Sequence, residues 1–342
     1  MADRDQLVAA IEEATYASSI HNAQPWRFEI LGDSIAVSLD ADETPRTVDP
    51  VGRWALASIG AVVANLELAL VAATGQEIAT EVRVGDLVPE GELAGGAAYA
   101  GRPLAVLTIT DVPADDERRA EAASLGGAIR ERFTTREPLT GGAPTQVEWA
   151  QIAAAVPGSQ GVMAAHEAPE SLVRALLRLT AAAELERQDD ADYLEEVEAW
   201  IERTESTGIP AEAVGLPDAE GRIPTRDFNQ TPMGSAATGE ATFFEHDPAL
   251  LVLTSGSDAP LDQFLGGYAM QRAMLAATAI GLGIGVLGQA LEEVDSRAAV
   301  DAAAGEALGG DVVVHQILRL GHPASPLTHP RTPRRPVAEV IL

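Results

Sequence analysis

Residues 18–26 read Ser18-Ser19-Ile20-His21-Asn22-Ala23-Gln24-Pro25-Trp26. The stretch is too polar for a core strand and too rich in turn formers for a helix. Asn and Gln amides hold donors and an acceptor in one plane, which suits the edge of a flat heterocycle bearing imide and carbonyl groups. Pro25 stiffens the loop, and Trp26 can anchor its end in a core. Ser19, His21, Asn22, Gln24 and Trp26 are therefore candidate ligand-binding residues. For any one of them alone, a polar helix cap followed by a turn is the competing reading.

Working outward, residues 5–17 place Leu7, Val8, Ile11 and Ala14 on one helical face behind Asp3 or Asp5 as cap. Arg27–Leu31 and Ser34–Leu39 alternate in polarity around Gly32-Asp33, which predicts a hairpin. Asp49-Pro50-Val51-Gly52-Arg53 opens a helix to about Ala73, stopped by Gly75 and apolar nearly all round, hence buried. Strands are expected near 78–84 and 103–110, and helices over 115–132, 146–155, 169–188 and 190–205, the last strongly acidic. Over 206–245 periodicity disappears and Gly, Pro, Thr and Asn dominate, the composition of a lid or a disordered segment. A strand at 248–254, a helix at 261–280 and a strand at 312–320 follow, and the prolines and arginines of 329–336 make an extended basic tail.

One pattern recurs. A strand ending in Ile-Thr or Leu-Thr stands at 104–110 and again at 249–254, and an Ala-rich helix ending at Gly stands at 55–75 and at 262–281. This predicts a diverged duplication of one α+β unit, although two unrelated units of similar composition would leave the same trace.

The 342 residues suffice for two domains at about 150 residues each, and 46% apolar content allows a sizeable core. The net charge of −29 argues against general nucleic-acid binding and anionic membranes, so a phosphate site must be a local Arg cluster. All the basic residues are Arg; the missing Lys is assigned to GC-rich coding or salt adaptation. No Cys is present, which excludes disulfides, thiolate catalysis and Cys-ligated metal. The first residues lead into an amphipathic pattern and no run reaches ~18 apolar residues. The expectation is a cytoplasmic protein without a membrane span.

Three further segments are candidates. Arg132, Thr134 and Arg136 at a helix end suit a phosphate, through bidentate guanidinium and hydroxyl contacts, or form a solvated helix end. Arg331, Arg334 and Arg335 offer the same alternatives. Gly281-Leu282-Gly283 follows a helix instead of linking a strand to one, so it is not a dinucleotide fingerprint. It lets backbone approach a flat ligand, or caps the helix. The six His show no metal-ligand spacing, so no metal is expected, and Ser18 and Ser19 lack a nucleophile-elbow context.

Ser-x-His21-Asn22-x-Gln24-Pro25-Trp26-Arg27-Phe28 resembles the signature loop of the FMN-dependent nitroreductases, and most closely their Acg branch. Asp49-Pro-x-Gly-Arg53, Arg132-Phe-Thr134-Thr-Arg136 and the Pro-Arg-Arg-Pro tail extend the likeness over most of the chain. Ala17 and Ala23 depart from it, standing where the family has Pro and a hydroxyl residue.

The resemblance implies an α+β nitroreductase-like fold in which two related halves, 1–114 and 115–342, form a pseudo-dimer within one chain, with a lid at 206–245. Ordinary members are homodimers with FMN between subunits. Here the first half holds Asn22, Gln24 and Trp26, and the second holds Arg132, Thr134, Arg136, Arg334 and Arg335. Each half lacks what the other has, so one complete FMN site per chain follows. The implied activity is NAD(P)H-linked electron transfer to a small acceptor, with no residue required as general base. The implied assembly is a monomer or a homodimer. Two other readings stay open: a flavin-sequestering protein with a closed lid and little turnover, and an interaction protein that has lost FMN.

Overall fold

The same sheet is built twice. In the computed structural model, which describes residues 2–84, 99–156, 163–201, 203–224, 226, 241–327 and 330–342, the chain forms two four-stranded antiparallel sheets. The first contains β1 (Trp26–Leu31), β2 (Ser34–Leu39), β3 (Gln76–Val82) and β4 (Pro103–Pro113) in the order β1-β2-β4-β3. The second contains β5 (Ala164–Glu167), β6 (Ala249–Ser255), β7 (Gly283–Val286) and β8 (Val313–Gly321) in the order β5-β6-β8-β7. The two orders are one order shifted by four strands.

A finer mark repeats as well. Between β2 and β4 the register slips after Val37, which pairs with Ala105, while Ser38 pairs with Pro103, leaving Leu104 as a bulge. Between β6 and β8 it slips after Leu253, which pairs with Gln316, while Thr254 pairs with Val314, leaving His315 as a bulge. Bulges are built features that families keep. Two of them at one place in both sheets make the halves related and overturn the alternative of unrelated units. They also set Ala105 and Thr108 of the first sheet in register with Gln316 and Arg319 of the second.

The halves join through two buried helices, α2 (Arg53–Thr74) and α7 (Pro260–Ala279). A Cβ on Gly60 would lie 1.9 Å from the carbonyl oxygen of Phe264, and one on Gly267 would lie 1.8 Å from that of Ala57. Both glycines are the eighth residue of their helix, and both carbonyls belong to the fifth. Each helix thus presents the same patch to the other, the isologous contact of a two-fold axis, and the fold is a pseudo-dimer within one chain. Beside the crossing, the Gln271 amide donates to Asn65 Oδ1 (2.8 Å) and its oxygen accepts from Ser18 N (3.0 Å), which ties residues 18–26 to α7.

The remaining helices are α1 (Arg4–Ala14), α3 (Asp116–Gly127), α4 (Gln146–Ala155), α5 (Glu170–Arg187), α6 (Ala191–Ala199), α8 (Val294–Leu308) and α9 (Val337–Val340). The C-terminus returns to the first sheet, where Ile341 bridges Phe28. Sequence expectation misses β5, β7, α8 and α9. By length and composition helix α2 is apolar enough to cross a membrane, yet 89% of its most apolar stretch is buried in the protein, as expected of a buried helix.

Of the expected lid, residues 225 and 227–240 lie outside the described residues, as does His329. Residues 203–224 form an irregular but packed wall, with Ile209, Ala213 and Val214 buried against Tyr193 and Val197 of α6 and Val48. Irregular spacing hides this burial from a search for periodicity.

Candidate functional site

Among the described residues, the positive-φ residues other than glycine are His21 (φ 48°), Asn22 (φ 56°) and Gln24 (φ 54°). Each such position costs about 1–3 kcal/mol and persists only where surrounding contacts over-determine it. Here they do. Asn22 Nδ2 donates to the carbonyls of Gly208 and Pro333 (both 3.0 Å), and its Oδ1 accepts from Arg334 (3.0 Å). Gln24 Nε2 donates to Ser206 O (2.7 Å), its Oε1 accepts from Arg335 N (2.9 Å), and its own N donates to Ser19 Oγ (3.0 Å). One strained loop thus clamps the 203–224 wall and the C-terminal tail together.

Beside it opens a cleft of about 210 Å³. Ser19, His21 and Asn22 border it, as do Arg132, Thr134, Arg136 and Arg334. The structure therefore brings together candidates more than 300 positions apart in sequence. Trp26 lies fully buried in the first core, and Gln24 lies behind the wall. Arg335 does not reach the cleft; its guanidinium stands 3.5 Å from the Asp40 carboxylate.

Gly281, Leu282 and Gly283 are also off the cleft. Gly281 (φ 80°) ends α7, Leu282 is core, and a Cβ on Gly283 would lie 2.3 Å from the Leu139 side chain. The stretch that does line it is Gly285 to Gln289, four residues on, because the chain first turns out of α7 into β7.

The cationic end of the cleft is unusual for so acidic a chain. Arg132 is 5% exposed; it donates to Tyr16 O (3.2 Å), contacts Met274 Sδ, and its Nε has no partner among the described residues. Burial, and then Arg334 and Arg331, push it down to about 9. Burial likewise takes Arg334 and Arg136 down to about 10. Arg334 bonds to Asn22 Oδ1, Thr332 and the carbonyls of Thr332, Pro333 and Tyr16, and its Nε also lacks a partner among the described residues. Dipoles of this kind orient a guanidinium without neutralising it, and buried charge left so is costly. The donor set fits a phosphate monoester, whose oxygens take charge-assisted bonds.

Away from that end the walls are largely apolar: Trp54, Ile209, Ile223, Phe244 and Leu287. His21 is held well below its ordinary value by burial, then by Arg226 and Arg136, so it stays neutral. Arg226 pairs with Glu292 and donates to Tyr193 Oη (2.7 Å); Arg319 pairs with Glu245. Burial raises Glu292 against the pull of Arg226. Sequence reasoning missed Arg226, Glu292, Gln316 and Arg319. The last two had a legible signal, as polar residues inside the buried strand Val313–Gly321. Among the described residues no group of three or more His, Asp and Glu could hold a metal.

No family model matches the chain. A candidate NAD(P)H nitroreductase of Mycobacterium tuberculosis is 28% identical, over 99% of this chain and 92% of its own length. The acg candidate nitroreductase of the same organism is 28% identical, over 100% of this chain and 96% of its own. Both alignments run over nearly the whole of this chain, so the likeness is not confined to the loop from Ser18 to Trp26. Among solved structures, the chain aligns with an FMN-bound nitroreductase from Desulfitobacterium hafniense at 16% identity and TM-score 0.39, covering 64% of this chain and 97% of the other. It aligns with the FMN- and NADPH-dependent nitroreductase NfnB of a Sphingopyxis strain at 19% identity and TM-score 0.39, with the same coverage.

Proposed function

We propose that the protein is an FMN-dependent oxidoreductase that passes electrons from NAD(P)H to a small acceptor through one FMN per chain. The observation that carries this reading is the buried Arg132 beside the half-buried Arg334, neither paired with a carboxylate among the described residues, at one end of an apolar-walled cleft. That pair suits a phosphate, and the walls suit a flat ring system.

Arg132 and Arg334 would hold the phosphate, with Thr134 and Arg136 beside them. Asn22 would position Arg334 through its carboxamide, and Gln24 would hold the 203–224 wall closed through Ser206. The flavin, when bound, supplies the hydride or electron transfer. The apolar walls would exclude water from it. His21, neutral by burial, adds no charge. No side chain here is needed as a general base.

The single site is supported by the unequal sheets. In register with Gln316 and Arg319 the first sheet has Ala105 and Thr108, and Ala105 is buried in the apolar cluster of that half. We place the join of the halves near residue 114 and the protein in the cytoplasm.

A second reading, sequestration of FMN with little turnover, is favoured by the clamp that Asn22 and Gln24 put on the wall. Visible absorption of the purified protein, before and after anaerobic NADPH, separates the two. A bound-flavin spectrum that bleaches is expected. A flavin spectrum that persists would favour sequestration, and no flavin after incubation with FMN would sink both.

A further inference from the structure

Gln316 lies on the wall of the cleft, 2% exposed, and its Oε1 has no hydrogen-bond partner among the described residues. A buried amide group left in this state costs about 1–3 kcal/mol, and native proteins retain few of them. The duplication provides an internal comparison. Strands β4 and β8 share one register and one bulge, yet where β8 has Gln316, β4 has Ala105, fully buried among apolar side chains. The fold therefore does not require a polar group at that register. It appears in the sheet that borders the cleft, where Gly288 and Gln289 on the neighbouring segment complete the wall and Leu287 N donates to Ile317 O (3.0 Å).

We propose that the Gln316 carboxamide is the group that hydrogen-bonds the polar edge of the ring system bound in the cleft. A primary amide sets a donor and an acceptor side by side in one plane, which matches the alternating carbonyl and imide N–H of an isoalloxazine edge. The loop amides of Asn22 and Gln24 do not take that part. Their donors and acceptors are engaged with Gly208, Pro333, Arg334, Ser206 and Arg335, and Gln24 does not border the cleft. The inference rests on the reading that the cleft takes a flavin.

The test compares the full-length wild type with Gln316→Leu and with the near-isosteric Gln316→Met. It reads the thermal midpoint without ligand, the FMN dissociation constant by fluorescence quenching, and the midpoint potential of bound FMN. Removing an unsatisfied buried amide should leave the ligand-free midpoint unchanged or higher. FMN affinity should fall about tenfold in both variants, the loss of one hydrogen bond at about 1.4 kcal/mol, and the potential should shift, because the lost contact is to the ring. Wild-type affinity, or an unmoved potential, in the folded Gln316→Met variant would overturn the proposal. A wild type that binds no FMN would instead overturn the flavin reading, and the role of Gln316 with it.

Discussion

Strain and charge at single residues organise the site. His21, Asn22 and Gln24 occupy backbone conformations that cost energy, and the bonds that hold Asn22 and Gln24 there run to segments about 180 and 310 positions away. Asp49 shows a different kind of tension. It is 1% exposed, and its Oδ2 accepts from Ala55 N (2.8 Å) at the start of α2. Burial raises its carboxyl from the usual 3.8 to about 6, although the backbone donors of Ala55, Trp54 and Arg53 pull the other way. A raised folded-state value means that the native state binds the proton more tightly. The associated stability is present in full below about pH 4 and is lost as the pH rises through about 6, at a cost of roughly 3 kcal/mol. Asp49→Asn keeps an acceptor for Ala55 and has no charge to bury. Its thermal midpoint should therefore rise relative to wild type between pH 4 and pH 7; a constant difference across that window would refute the account.

Among the elements, α2 and α7 decide how the halves meet. Gly60 and Gly267 each lie against a carbonyl of the other helix, so an added methyl has nowhere to go without moving backbone. Gly60→Ala and Gly267→Ala should each destabilise by about 3 kcal/mol, at the upper end of overpacking costs and despite the better helix propensity of Ala. The two effects should not add in the double variant, since both force apart one crossing. Urea unfolding of the three variants measures this; additive or negligible losses would show that the crossing is looser than the geometry implies. At this scale the sequence was legible where periodicity was strong: α4 is found at Gln146–Ala155, where a helix was expected over 146–155, and α7 within a residue of its expected ends. It was illegible at β5, four residues of low strand propensity. It was illegible too at β7, whose alternating glycines read as a cap.

For the molecule as a whole, duplication makes two sheets, but among the described residues Gln316 and Arg319 of the second stand in register with Ala105 and Thr108 of the first. Titration of FMN into the stripped protein should therefore saturate at one equivalent per 35.7 kDa chain. Separately expressed segments 1–114 and 115–342 should bind far more weakly, since Asn22 lies in one and Arg132 and Arg334 in the other. Two equivalents per chain, or full affinity in one segment, would refute the shared site. The charge of −29 gives the local Arg cluster its contrast, because nothing else in the composition announces an anion site.

By itself the sequence determined the α+β class, the hairpin, the buried helices and the loop from Ser18 to Trp26, because these depend on local period, turn chemistry and a contiguous motif. Only the tertiary structure decided which candidates face the cleft. It directed Arg334 into it and Arg335 to Asp40, turned the amides of Asn22 and Gln24 toward main chain, and set the buried Gln316 on the wall. The physical reason is that desolvation and partner choice belong to three-dimensional neighbours. Adjacent arginines carry the same label in the sequence, and burial beside a carboxylate or beside carbonyl dipoles makes them different groups.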